Sequence, residues 1–231
     1  MSEISLWGNA TDLSLLANLR FEDLEKLQGK KAMEEMQKNI VVNDMEDAWK
    51  HVKGLQRAQI DIILDNAGFR FTELYLKRLG FELFVDILLA VYFLEIGAAK
   101  TVVCHPKDFG WFVSDVIPAD FDSLFELLKE ESIAETSQQR KDIKFLYERW
   151  LRFYKSGQIQ LRRDPFWTTA HPFWRMPTLA PDLYKELQKS DLVIYKGDLN
   201  YRKLVEDVYS PNLQETKFRH GGQERLNLLT L

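Results

Sequence analysis

The 231-residue chain has a single cysteine, Cys104, and no long uninterrupted apolar run. One cysteine allows neither an intramolecular disulfide nor a cysteine-based metal cluster. The longest apolar stretch, residues 81–96, is interrupted by Glu82, Asp86 and Glu95, which argues against a membrane span. The first residues also lack the basic start and apolar run of a signal peptide. We therefore expect a reducing compartment, the cytosol or the nucleus, and no membrane partner.

Basic charge is not in excess either. The chain has 31 Lys and Arg against 35 Asp and Glu, a formal net charge of −4, so it lacks a general positive field for nucleic acid. Hydrophobic residues make up 45% of the chain and aromatic residues 13%, which is enough for a substantial core. The length fits a single domain over residues 1–231. No pattern in the sequence indicates an obligate protein partner.

The order of the apolar segments predicts an α/β fold. Three short, mostly apolar runs are typical of parallel strands buried on both faces. These runs are residues 60–64, 101–104 and 192–195. Segments with helical spacing are residues 46–56, 81–96, 122–131, 142–154 and 181–189. The proline- and aromatic-rich residues 163–181 are predicted to form an ordered surface loop, and residues 226–231 to begin another strand. We predict a three-layer α/β/α sandwich with a mostly parallel, Rossmann-like sheet.

Polar side chains follow each predicted strand. The residues concerned are Asp65, Asn66, His105, Lys107, Asp115, Lys196 and Asp198. Because the carboxyl ends of parallel strands share one sheet edge, this edge is the expected ligand site. Carboxylate and amide oxygens suit Mg²⁺ or Mn²⁺, and Lys196 and Arg202 suit a phosphate. The same residue types also form ordinary turns, so both interpretations stay open, as does a structural or functional role for His105.

Several common enzyme motifs are missing. No G-x-G-x-x-G follows a strand and no G-x-x-x-x-G-K-[ST] occurs, so the chain lacks the parts of a dinucleotide or P-loop site. The G-x-S-x-G elbow of serine hydrolases is also absent. The acidic and basic residues at the strand ends are therefore better candidates than these motifs.

Several segments together carry a family resemblance. Residues 65–68 are Asp-Asn-Ala-Gly, residues 111–115 are Trp-Phe-Val-Ser-Asp, and residues 196–203 are Lys-Gly-Asp-Leu-Asn-Tyr-Arg-Lys. Phe-Glu-Leu at residues 81–83, followed by Asp86, belongs to the same set. The chain resembles the metal-dependent damage-control phosphatases, in the branch also called acidic residue methyltransferase. The resemblance extends over residues 6–231.

The resemblance implies a metal site and a substrate. The metal would be Mn²⁺, with Co²⁺ or Ni²⁺ as alternatives, held by Asp65, Asn66 and Asp115. The substrate would be a small phosphorylated sugar such as fructose 1-phosphate or fructose 6-phosphate, which the enzyme would hydrolyse. The implied catalytic residues are Asp65, Asn66 and Asp198. The implied substrate contacts are Lys196, Asp198, Leu199, Asn200, Tyr201 and Arg202.

Two points stay open at the level of the residues. Asp198 suits either a proton acceptor for the attacking water or a ligand of the sugar hydroxyls. Protein-glutamate O-methyltransferase activity has also been ascribed to this branch. For that alternative the chain offers no glycine-rich adenosylmethionine loop after any predicted strand.

Three features depart from the family pattern. Only five residues precede residue 6, where the family has a helical domain, and the chain stops before the family's Arg-Thr-x-Lys motif. Residues 69–80 form an insertion whose spacing predicts a helix, and this helix would displace Glu82 and Asp86. We therefore expect a chain truncated at both ends with little or no phosphatase activity. The alternative is an inactive remnant that still binds metal or another ligand.

Overall fold

A computed structural model describes residues 45–67, 81–112, 114–129, 136–205 and 228–230. Its centre is a five-stranded sheet in which every neighbouring pair is parallel, with the order β3-β2-β1-β4-β5. The strands are β1 (Ala58–Ile63), β2 (Ala99–His105), β3 (Ile159–Leu161), β4 (Leu192–Tyr195) and β5 (Leu228–Thr230). The parallel sheet predicted from the apolar runs is confirmed.

Seven α-helices accompany the sheet in the described ranges. They are α1 (Met45–Gly54), α2 (Phe81–Glu95), α3 (Pro118–Lys129), α4 (Ser137–Lys155), α5 (Met176–Leu179), α6 (Pro181–Leu187) and α7 (Gly197–Val205). The start of α4 is fixed by a capping box, in which Thr136 and Gln139 each accept a hydrogen bond from the other's backbone N–H. Of the described helices, none has both the length and the hydrophobicity to cross a bilayer.

The sheet has a hydrophobic core on each of its two faces, which gives the molecule three layers. Ile62 packs in a core with side chains of α1 to α4, whereas its neighbour Ile63 packs in a core with Trp167, Phe173 and Leu187. Successive strand residues point to opposite faces, so these cores cover the two sides of the sheet. The expected α/β/α sandwich is therefore confirmed.

The segment 163–181 does not form the surface loop predicted for it. It contains two short 3₁₀ helices, Pro165–Thr168 and Phe173–Arg175, followed by α5. Trp167, Phe173 and Met176 are fully buried and form the centre of the second core. Proline content favoured a loop, but the large aromatic side chains gain more free energy by covering the sheet.

Other boundaries differ in smaller ways. The helix predicted at residues 122–131 begins earlier, at Pro118, and the three-residue strand β3 was not predicted. The strand predicted near the end of the chain is present as β5. The helix predicted for residues 69–80 lies outside the described residues, so it stays a prediction.

Candidate active site

The predicted site residues of three strands meet at one edge of the sheet. Asp65 follows β1, Asp115 lies in the connection after β2, and Asp198 follows β4. The chain goes from β1 to its neighbour β2 on one side, and later returns to place β4 on the other side of β1. This reversal is the switch point at which open α/β folds bind ligands.

Backbone hydrogen bonds bring the two segments with the expected metal ligands together. Asn66 and Asp115 form an isolated antiparallel bridge. The N–H of Val116 donates to the Asp65 carbonyl at 2.9 Å, and the N–H of Lys107 donates to the Val116 carbonyl at 2.7 Å. The connection after β2 is thereby folded back against the end of β1.

Side-chain hydrogen bonds orient two of these groups further. The carboxylate Oδ2 of Asp115 accepts from the N–H of Phe112 at 2.6 Å. The amide Oδ1 of Asn66 accepts from the hydroxyl of Ser114 at 2.8 Å. A carboxylate has about four lone-pair sites and an amide oxygen two, so each group keeps capacity for a further partner.

Gly197 allows the start of α7 to approach the Asp65 side chain. Its φ of +80° is in the left-handed region that favours glycine. A Cβ built on Gly197 would lie 1.8 Å from Oδ2 of Asp65, far inside van der Waals contact. The glycine after β4 is therefore required by both its backbone conformation and the neighbouring carboxylate.

The burial of Asp65 disfavours its ionised form. Burial raises the pKa of Asp65 to about 7. The Lys107 ammonium lowers this pKa and the carboxylates of Asp198 and Asp115 raise it, while Lys196 makes the smallest contribution, a lowering one. A cation placed among the carboxylates would favour the ionised form of Asp65.

The donor set fits a divalent cation that prefers oxygen ligands. Asp65 and Asp115 supply carboxylates and Asn66 supplies an amide oxygen, and such mixed oxygen sets suit Mg²⁺ or Mn²⁺. Within the described ranges no three His, Cys, Asp or Glu side chains form a group able to hold a metal. A cation here would therefore depend on the amide as well as on the two carboxylates.

Two of the expected substrate contacts make their hydrogen bonds within the protein. Lys196 forms a buried ion pair with Asp86, Nζ to Oδ1 at 2.8 Å. Asn200 is fully buried, and its Nδ2 donates to the carbonyls of Lys196 at 2.7 Å and Leu64 at 3.1 Å. Its Oδ1 accepts from the Lys107 ammonium at 3.1 Å. Asn200 therefore joins the ends of three strands.

The other expected substrate contacts lie on more open parts of α7. Asp198 and Arg202 form an ion pair of 3.0 Å, with side chains 63% and 60% exposed. Tyr201 is exposed and Leu199 is half-buried. Of these side chains, Asp198 acts electrostatically on the buried Asp65.

Two buried lysines were given no role by the sequence, although Lys107 lies at the expected edge of the sheet. Lys107 is fully buried and acts electrostatically on Asp65, and Lys203 donates from Nζ to the carbonyls of Trp167 at 3.3 Å and Thr169 at 2.8 Å. The position of Lys107 just after a predicted strand was the available signal. Lys203 gave none beyond its place in the Lys-Gly-Asp-Leu-Asn-Tyr-Arg-Lys string.

His105, which the sequence left open, is part of the core. Its Nε2 lies 2.7 Å from Oδ1 of Asp61, and both side chains are fully buried. The His105 ring also packs edge-on against Trp167, with centroids 5.4 Å apart. These contacts favour the structural interpretation.

A parallel sheet with acidic and basic side chains at its switch point defines a Rossmann-like α/β protein with a ligand site at the carboxyl edge. The protein family can be named more specifically than this class. Residues 1–231 match the family model described as the damage-control phosphatase ARMT1-like domain, and the chain belongs to this family. The family resemblance read from the motifs is thereby confirmed.

Individual relatives show the same relationship. The chain is 36% identical to damage-control phosphatase ARMT1 of Danio rerio over 214 residues, which cover 89% of this chain and 43% of the relative. It is 35% identical to damage-control phosphatase ARMT1 of Homo sapiens over 212 residues, with the same coverage. The chain thus spans less than half the length of these relatives. A crystal structure of a DUF89 family protein from Pyrococcus horikoshii aligns with a TM-score of 0.48 at 16% identity, over 99% of this chain and 56% of that chain.

Proposed function

We propose that this chain carries the metal- and substrate-binding part of a phosphatase that hydrolyses sugar phosphates such as fructose 1-phosphate and fructose 6-phosphate. The observation that carries the proposal is the bridge between Asn66 and Asp115 beside the buried Asp65 carboxylate, at the carboxyl edge of the sheet. Membership of the damage-control phosphatase family supports the class of reaction.

The proposed cofactor is Mn²⁺, with Co²⁺ or Ni²⁺ as alternatives, held by Asp65, Asn66 and Asp115. A bound divalent cation lowers the pKa of its water and neutralises charge on a phosphoryl oxygen. The protein residues hold the ligand atoms in place through the backbone bridge and the Phe112 N–H hydrogen bond to Asp115. Because this framework is made within the protein, its orientation costs little when substrate binds.

Asp198 is the proposed proton acceptor or sugar ligand at the outer side of the site. It is near enough to raise the pKa of Asp65, and its own carboxylate is well exposed and paired with Arg202. A carboxylate accepts hydrogen bonds from water or from sugar hydroxyls. Arg202 in turn offers planar donors that suit phosphate oxygens.

The first test is metal binding by the full chain. We expect calorimetric titration with Mn²⁺ to show binding to the wild-type chain and its loss in Asp65→Ala. Asp122→Ala, on the exposed side of α3, is the matched control and should bind Mn²⁺ like the wild type. Equal affinity in Asp65→Ala would contradict the assignment of the metal ligands.

The second arm of this test measures phosphate release from fructose 1-phosphate and fructose 6-phosphate with Mn²⁺. Release that disappears in Asp65→Ala and persists in Asp122→Ala would support the proposal. Release that is equal in both variants would come from another site or a contaminant. Mn²⁺ binding without release would agree with the little or no activity expected from the sequence. Failure of the Mn²⁺-loaded chain to bind either sugar phosphate would contradict the proposed substrate.

A further inference from the structure

The Lys107 ammonium occupies the interior of the candidate site. Lys107 follows the end of β2, and its side chain is fully buried. Among the described residues, the one hydrogen-bond partner of the Lys107 ammonium is Oδ1 of Asn200, at 3.1 Å. An ammonium has three donors, so this contact leaves donor capacity for a ligand.

Lys107 differs from the other buried lysine beside it in the nature of its partner. Lys196 is compensated directly by the Asp86 carboxylate at 2.8 Å. In the described parts of the chain, no carboxylate lies within ion-pair distance of Lys107, and its hydrogen-bond partner is a neutral amide. A buried charge with a neutral partner is costly, which is typical of a functional group.

The other charges of the site indicate what Lys107 faces. The pairs Lys196–Asp86 and Arg202–Asp198 are each internally compensated. Burial lowers the pKa of Lys107, and the nearby carboxylates of Asp65 and Asp115 raise it. When a divalent cation offsets these two carboxylates, Lys107 gives the base of the site a net positive charge. A positive base suits the phosphoryl group of a phosphate monoester.

We propose that Lys107 is a catalytic residue whose ammonium donates hydrogen bonds to the phosphoryl oxygens of the substrate, with Asn200 as its positioning residue. This inference rests on the proposed phosphatase function. Lys107 would stabilise negative charge on the phosphoryl group both on binding and as the ester bond breaks.

Asn200 is built to hold this lysine. Its Nδ2 is fixed by the carbonyls of Lys196 and Leu64, which belong to the ends of two strands. The fixed amide therefore presents Oδ1 toward Lys107 from a rigid frame. Aspartate at this position would offer a charge, but an amide holds the ammonium without neutralising it.

The experiment uses the full chain loaded with Mn²⁺ and inorganic phosphate as the probe. Calorimetry of Lys107→Met and Lys107→Gln should show phosphate affinity weakened by roughly 10- to 100-fold, the range for losing a charged hydrogen bond. Mn²⁺ affinity should be unchanged or higher, because a positive charge next to the ligands has been removed. Retained Mn²⁺ binding also reports that the variants are folded. Lys155→Met, an exposed lysine at the end of α4, is the control and should match the wild type.

The role of Asn200 is tested by a double-mutant cycle. Asn200→Ala should weaken phosphate binding in the wild-type background and have no further effect in the Lys107→Met background. A residue that only supported the fold would lower affinity by the same factor in both backgrounds. Equal factors would therefore overturn the positioning role.

The outcomes separate this inference from the proposed function. If the wild type binds phosphate and both Lys107 variants bind it equally well, Lys107 is not the phosphate ligand and the phosphatase proposal stands. If the wild type binds Mn²⁺ but neither phosphate nor a sugar phosphate, both proposals are overturned. Should both Lys107 variants fail to fold, ¹⁵N NMR of the wild-type lysine ammonium groups decides: phosphate must shift the signal of a buried lysine, and no shift would overturn the inference.

Discussion

At Gly197, a single missing side chain decides how closely α7 approaches the Asp65 carboxylate. We expect Gly197→Ala to lower Mn²⁺ affinity by at least about 10-fold, because the new Cβ would overlap Oδ2 of Asp65 and force the carboxylate away. Positive φ at an alanine adds strain of roughly 1–2 kcal/mol. Calorimetry and chemical denaturation measure the two effects separately.

Gly157 supplies the matched control for this substitution. Its φ of +72° is nearly the same, yet a Cβ added there would meet nothing within 4 Å. Gly157→Ala should therefore lose comparable stability and keep its full Mn²⁺ affinity. The same metal affinity in both alanine variants would show that the contact between Gly197 and Asp65 is unimportant for the site.

The sequence indicated some residues of the site better than others. Asp65, Asn66 and Asp115 were predicted as metal ligands because oxygen-bearing side chains at strand ends agree with a family motif, and the bridge between Asn66 and Asp115 brings their segments together. Lys107 follows a strand in the same way, but nothing in the order of residues tells whether such a lysine points to solvent or inward. Its direction depends on the hydrogen bonds of its backbone to Val116 and of its ammonium to Asn200.

At the scale of elements, Lys203 connects α7 to the segment that follows β3. Its ammonium donates to the carbonyls of Trp167 and Thr169 and lies 5.0 to 5.6 Å from the ring centres of three aromatic residues. These rings belong to Trp111, Phe166 and Phe173. Lys203 thus holds together α7, the 3₁₀ segment and the connection that leads to Asp115.

We expect Lys203→Met to destabilise the fold by roughly 2 kcal/mol, since the carbonyls of Trp167 and Thr169 lose their hydrogen-bond donor while the apolar stem is preserved. Chemical denaturation measures this change. Lys144→Met, an exposed position on α4, is the control and should alter stability by less than about 0.5 kcal/mol. A Lys203→Met variant as stable as the Lys144→Met variant would show that the hydrogen bonds of Lys203 contribute no measurable stability.

Elements were predictable from the sequence where their composition was uniform. β4 is continuously apolar, and β1 and β2 each contain a run of buried, mostly apolar residues, so their type was clear. β3 has only three residues, including the exposed Gln160, and a run this short carries no period. The segment 163–181 was misjudged because its prolines indicate turns, whereas the burial of Trp167 and Phe173 depends on the distant strand β4.

At the scale of the whole molecule, a buried polar network ties the middle of the sheet to the chain before β4. Asp61 on β1 accepts from Nε2 of His105 at 2.7 Å and from Nε2 of Gln59 at 2.9 Å, and Ser190 also donates to it. Asp61 and His105 are fully buried. Burial raises the pKa of Asp61, but the hydrogen bonds and the charge of its partners outweigh this and lower it below 3.8.

The lowered pKa of Asp61 predicts how the stability of the whole fold depends on pH. The ionised carboxylate stabilises the folded chain above the ordinary Asp pKa, and this contribution is lost as pH falls through the lower folded value. In Asp61→Asn, the buried partners of Asp61 face a neutral amide instead of a carboxylate. We therefore expect the free energy of unfolding to fall by roughly 3 kcal/mol at pH 7. The difference in unfolding free energy between the wild type and Asp61→Asn should shrink as pH falls below about 4. Chemical denaturation at several pH values measures this difference, with Asp122→Asn as an exposed control. A difference in unfolding free energy that is constant with pH would show that ionised Asp61 does not stabilise the fold.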